Sequence, residues 1–391
     1  MNRETIPQLP WDDLFYQLED TSSITSEVAQ RTYRRYIQSV KAVVDSYDAP
    51  INLTPREEIW RLNKAKLYHY EPTLPPEERH PIPLLLVYAL INKPFIFDLV
   101  PGRSFIEFML EQGFEIYLLD WGAPGPEDQE TTFDDYVTEY LSRAVRKIRR
   151  HSGADEISML GYCLGATIAT VYAALYPDAP IRNLILLTAP IDFSNQPEGS
   201  MAMWLDEGRL DLDKLINTVG NVPGELIRYW AKMLKPVENF VGSYVNLMKM
   251  IDDEAAVRAW QVINRWVEDV IPFSGEAFRQ FVGTYLRGNK LIKGEHVIHG
   301  QPVDLANIKA PLFNIVAKYD HLVSQSQSES IMELVSSTDK ELKVIPSTHV
   351  GIMISSRARY KLWPELVDWL GHRSGSYATQ KTTSQEKKQP S

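Results

Sequence analysis

From Pro83 onward the hydrophobic positions cluster into short runs: "LLLVYAL" (84–90), "FEIYLL" (114–119), "EISML" (156–160) and "NLILLT" (183–188). Helix-length stretches separate them. Apolar runs this short, bounded by turn residues, predict strands buried on both faces of a parallel sheet. The segment between the second and third is a marked helix. Phe133, Tyr136, Val137, Tyr140, Leu141, Ala144, Val145 and Ile148 make one apolar stripe, and Gly153 stands at its C-terminal stop. The same strand pattern returns at "PLFNIVAKYD" (311–320) and "LKVIPSTH" (342–349), followed by a last helix, "RYKLWPELVDWLGH". Alternation of this kind predicts an α/β class chain with a doubly wound, mostly parallel sheet.

Two regions break the alternation. Residues 1–82 read as helices and a linker. In "TPREEIW", Thr54 is placed as an N-cap, Pro55 as the first helical residue and Glu57 as the end of a capping box. The linker "EPTLPPEERHPIP" (71–83) holds five prolines in thirteen residues and must be extended. Residues 193–300 carry Trp204, Trp230, Trp260 and Trp266 and long amphipathic patterns such as "EAAVRAWQVINRWVEDV". They read as a helical cap inserted into a core of 83–192 and 301–372. The tail 373–391 is polar and predicts disorder.

Composition narrows the function classes. No apolar stretch reaches the length of a membrane span, and the N-terminus lacks the apolar core of a signal peptide, so a cytoplasmic protein is expected. One cysteine in 391 residues excludes an internal disulfide. A net charge of −10 argues against nucleic-acid binding. The basic cluster Arg146, Lys147, Arg149 and Arg150 suits the negative end of its helix. No metal or cofactor motif is apparent.

That single cysteine sits in "GYCLGA" (161–166), between a buried strand and a helix. Glycines two before and two after it make the pattern of a nucleophile elbow, where a strained turn lifts the side chain out of the sheet. The elbow predicts a chain order of nucleophile, acid, histidine. Asp320 ends one later strand and His349 follows the next, 29 residues on. Cys163 is therefore the candidate nucleophile and His349 its base. With an ordinary pKa of about 6.5, such a base predicts a rate that falls on the acid side. His321, beside the acid, is a secondary candidate. The oxyanion donors expected are the backbone N–H of Leu164 and one from the loop "ALINKP" (89–94), at Ile91.

Sulfur in place of serine carries chemical information. A serine that accepted an acyl group from a thioester would discard the thioester's driving force. A cysteine accepts it at nearly equal energy and keeps it reactive toward a hydroxyl. Acyl transfer is the expectation.

With these residues in place, the chain resembles the polyhydroxyalkanoate synthases of the short two-component types, class III and class IV. The resemblance spans about residues 50–372. It is carried by "TPREEIWRLNKAKLYHYEP", "LINKPFIFDLVPGRSFIEFMLEQGFEIYLLDWG", "LGYCLGAT", "IRNLILLTAPIDFS", "NKLIKGE", "VDLANIKAPLFNI", the pair Asp320-His321 and "HVGIMIS". Ala166 departs from the family, many of whose members have a second glycine there. The resemblance implies an α/β-hydrolase fold with a cap and a catalytic Cys163, Asp320 and His349. It further implies polymerisation of (R)-3-hydroxyacyl-coenzyme A, of short chain such as 3-hydroxybutyryl, into polyester with release of coenzyme A. Asp320 would orient His349 or help activate the 3-hydroxyl of the incoming unit; both roles stay open. A smaller partner subunit, a homodimer or larger assembly, and association with polyester granules are likewise implied. The rival readings are a cysteine-nucleophile thioesterase or ester hydrolase on the same scaffold, and a non-catalytic interaction subunit.

Overall fold

The apolar runs pair side by side in a computed structural model that describes residues 26–194, 210–234 and 241–375. The strands are β1 (Glu57–Leu62), β2 (Ala65–Tyr70), β3 (Leu84–Val87), β4 (Ile116–Asp120), β5 (Ile157–Tyr162) and β6 (Ile181–Leu187). A small ribbon, β7 (Val297–Ile298) and β8 (Gln301–Pro302), stands apart, and β9 (Leu312–Ala317) and β10 (Lys340–Ile345) complete the set. Eight of them form one sheet in the order β1-β2-β4-β3-β5-β6-β9-β10. From β4 to β10 every pairing is parallel. β3, β5 and β9 are buried at every residue, as continuous apolar runs require when helices cover both faces. The match to the predicted α/β-hydrolase architecture is close.

The stretch 54–70 corrects the sequence reading. It is an antiparallel hairpin, not a helix: β1 pairs with β2, and β2 pairs antiparallel with β4. Asn63, with a φ of 51°, makes the tight turn. Thr54 does not cap a helix; its hydroxyl donates to Asp98 Oδ1 at 2.6 Å and its N–H to Oδ2 at 3.1 Å. Local helix-start signals lose here to long-range pairing, because Ala65, Leu67 and Tyr70 gain complete burial in the sheet. The final helix also ends later than expected. It runs Trp363–Ser374, with Ser374 buried and Arg373 bonded to Asp339 at 2.7 Å, so the polar tail does not begin at 373. Of that tail, 376–391 lies outside the described residues, as does Trp204.

Two compact units emerge: Met1–Ile51 with Lys235–Glu268, and Asn52–Leu234 with Asp269–Ser391. In the first, helix Glu27–Ser46 packs on helices Ser243–Met250 and Glu254–Glu268 around Ala42, Leu247 and Trp260. Asn264 Nδ2 donates to Ser46 Oγ at 2.9 Å, and Arg35 reaches Met248 O at 2.8 Å. The second unit holds the sheet, together with helices Leu212–Val219, Gly224–Met233 and Gly275–Gln280 from the insertion. The insertion is thus shared between the units.

Candidate active site

β5 ends at Tyr162 and helix Leu164–Leu175 begins two residues later, so Cys163 must make the whole reversal alone. It does so with φ 56° and ψ −128°, a region that a side chain normally avoids. The turn is held by Cys163 N–H to Leu187 O at 3.0 Å and Ala166 N–H to Cys163 O at 2.8 Å. The flanking glycines are sterically required. A Cβ on Gly161 would lie 2.4 Å from Ala166 Cα, and one on Gly165 would lie 2.3 Å from Val87 O. Ala166 itself is buried without difficulty, so the missing second glycine is tolerated.

Asp320 and His349 lie just past the carboxyl ends of β9 and β10, on the same edge as the elbow because these strands are parallel. His349 Nδ1 donates to Asp320 Oδ2 at 2.6 Å. Their side chains keep 5% and 1% of their exposure, so the pair is withdrawn from water. Asp320 Oδ1 accepts from Leu322 N–H at 2.8 Å and Val323 N–H at 2.9 Å. Both oxygens are therefore committed to fixing the carboxylate against the imidazole. Burial alone would lower the imidazole pKa. Asp320 and the Cys163 sulfur, both hydrogen-bonded to the ring, outweigh it and push His349 up to about 10. The ordinary value near 6.5 assumed from sequence does not apply to this ring. The structure thus brings the three predicted residues together.

Of the remaining predictions, Leu164 and Ile91 both line the cavity that Cys163 faces. Ile91 O accepts from Ile271 N–H at 3.1 Å, and Lys93 Nζ meets Asp269 at 2.6 Å, so this loop is tied to a segment within the insertion. His321 is half-buried next to Asp320 in the chain.

Sequence reasoning missed Tyr162. Its hydroxyl donates to His349 O at 2.8 Å, and its ring stacks 5.4 Å from the imidazole. Burial pushes its phenol well above the ordinary value, so it remains a neutral donor. Its place immediately before the nucleophile was the available signal. The cavity itself was also invisible in sequence. It measures about 100 Å³ and is lined by Val222, Trp230, Phe273 and Phe281 beside Ile91 and Leu164. These come from segments up to 190 residues apart by number, which no local pattern links. The loop bearing Pro190 closes one wall, held by Thr167 Oγ1 to Pro190 O at 2.9 Å and Ser328 Oγ to Ala189 O at 2.7 Å.

Chemically, the arrangement offers a half-buried thiol, an oriented imidazole and an apolar space from which water is disfavoured. Comparisons agree with the fold and extend the resemblance. Residues 82–355 match the family model described as alpha/beta hydrolase fold, and 43–109 match that described as Poly-beta-hydroxybutyrate polymerase (PhaC) N-terminus. The Poly(3-hydroxyalkanoate) polymerase subunit PhaC of Haloferax mediterranei is 39% identical over 84% of this chain and 66% of that protein. Its counterpart in Allochromatium vinosum is 34% identical over 87% of this chain and 95% of that one. The Synechocystis protein of the same name is 34% identical over 83% and 86%.

Proposed function

Because this chain belongs to the family of poly(3-hydroxyalkanoate) polymerase subunits, acyltransferase-type enzymes, we propose that it polymerises short-chain (R)-3-hydroxyacyl-coenzyme A through an acyl thioester on Cys163. The observation that carries the proposal is the Asp320–His349 pair aimed at the only thiol in the chain, at the mouth of an apolar cavity.

In the first step the Cys163 sulfur attacks the substrate carbonyl, its proton having passed to His349. The carbon–sulfur bond to coenzyme A breaks, and the departing thiolate takes the proton from His349. The neutral imidazole then accepts the proton of an incoming 3-hydroxyl as its oxygen attacks the acyl-Cys163. The new ester forms, and the proton returns to the released sulfur. Atoms and charge balance over the cycle. Asp320 is assigned to orienting His349, since its Oδ2 holds the imidazole at 2.6 Å while two backbone N–H groups fix Oδ1. The developing oxyanion falls to Leu164 N–H and the Ile91 loop. No step needs a metal or cofactor.

The short side chain rests on size. A cavity of about 150 Å³ takes up a benzene ring, and this one, at about 100 Å³, suits a four-carbon acyl unit. The word "subunit" in the relatives' names supports a second, smaller chain as partner. Homodimer formation and residence on polyester granules belong to the same reading. Among the described residues no helix is long and apolar enough to cross a membrane.

The test is incubation with 3-hydroxybutyryl-coenzyme A, with and without candidate small subunits, following thiol release and polymer together. Polymer stoichiometric with thiol is expected. Thiol release with free 3-hydroxybutyrate and no polymer would convert the assignment to a thioesterase, and no thiol release under any condition would leave an interaction subunit.

A further inference from the structure

On the sheet edge away from Cys163, strand register collects a second group of chemically capable side chains. Glu57 on β1 stands opposite His69 on β2, and His69 stands opposite Tyr117 on β4. Directly opposed residues share one face of the sheet, so the three side chains form a row. Over that row the last turn of helix Ser142–Ser152 brings His151, whose ring centre lies 4.7 Å from that of His69. From these elements we infer a divalent transition-metal site of zinc type, with Glu57, His69 and His151 as its ligands.

Three observations favour it over a plain polar cluster. One ligand atom from each of the three residues lies within 4.8 Å of the others. Zinc bonds of about 2.0–2.2 Å to nitrogen and oxygen place tetrahedral ligands about 3.4 Å apart. Closing the difference falls chiefly to the exposed Glu57 side chain. The donor set, two imidazoles and a carboxylate, is one that zinc takes readily.

The third observation concerns the other nitrogen of each ring. His69 Nε2 lies 2.9 Å from Glu115 Oε1. Tyr117 gives its only hydroxyl proton to Glu115 Oε1 at 2.5 Å, so His151 Nδ1, 2.8 Å from the same phenol oxygen, must be the donor there. The hydrogen bond from His151 Nδ1 leaves the lone pair of His151 Nε2 open to a metal. A carboxylate or hydroxyl behind each imidazole is the support that metal-binding histidines characteristically have. Bound metal would clasp the β1–β2 hairpin to the end of the helix, far along the sheet order from the elbow.

The test uses the full chain carrying Cys163→Ala, so that the active-site thiolate cannot bind metal. After EDTA treatment and dialysis, ZnCl2 is titrated against a chromophoric zinc indicator, and thermal melting is followed with and without zinc. One equivalent of zinc and a rise in Tm are expected. Adding His151→Ala should weaken binding by about a hundredfold and abolish the Tm rise, and Glu57→Gln should weaken it at least about tenfold. Both substituted residues are exposed, so melting without zinc should be unchanged and reports folding. Absence of saturable uptake, or uptake indifferent to both substitutions, overturns the inference.

Discussion

At Cys163 a strained backbone, a thiol and a helix start coincide. The φ of 56° is tolerated because Gly161 and Gly165 let strand and helix close around it. Its partner His349 holds a proton in the folded chain more firmly than an exposed imidazole does. Burial works against this, but Asp320 and Cys163 prevail and raise the ring to about 10 from an unfolded value near 6.5. The folded state therefore binds the extra proton between those two values. Stability from the pair is fully present below about pH 6.5 and is lost as pH rises through about 10. Urea unfolding across this window should show wild-type stability declining and the slope flattened in Asp320→Asn. A slope unchanged by Asp320→Asn would mean that the carboxylate does not set the ring's proton affinity. The identity of all three residues was legible in sequence, because elbow order and strand ends are local signals. The raised pKa was not, since it depends on burial and on neighbours 29 and 186 positions away.

At the scale of elements, the inner parallel strands were legible because burial on both faces writes an unbroken apolar run. β1 was not. It is an edge strand with no fully buried residue, so it carries no such run, and Thr54-Pro55 imitated a helix start. The aromatic-rich "KLYHY" and the Asn63 turn were the signals for a hairpin. The cap was expected as helices covering the site, but which of its residues line the cavity was hidden. Val222 and Phe273 bond to each other's backbone at 2.9 and 3.0 Å and both line the cavity, as do Leu226, Ile227 and Trp230 of helix Gly224–Met233. A wall made of such helices can exclude water from the acyl-Cys163, where water competes with the 3-hydroxyl. Hydrogen exchange should show helices Leu212–Val219 and Gly224–Met233 opening more readily than β5 and β9, with substrate slowing them. Uniform protection that substrate does not alter would leave these helices a packing role alone.

Considered as a whole molecule, the chain joins an acidic surface, with a net charge of −10, to a site that is almost wholly apolar inside. The α/β core could be read from one strand to the next. The division into two compact units could not, because the helix at 27–46 finds its partners some 200 residues later and only their complementary surfaces record it. What unites the parts functionally is the claim that one sulfur carries the growing acyl chain. The direct measurement is rapid quenching of the protein with 3-hydroxybutyryl-coenzyme A, followed by peptide mass mapping. A hydroxybutyryl adduct on the peptide bearing Cys163, cleaved by hydroxylamine and absent from Cys163→Ala together with all polymer, is the predicted result. Wild-type turnover by Cys163→Ala would contradict the account.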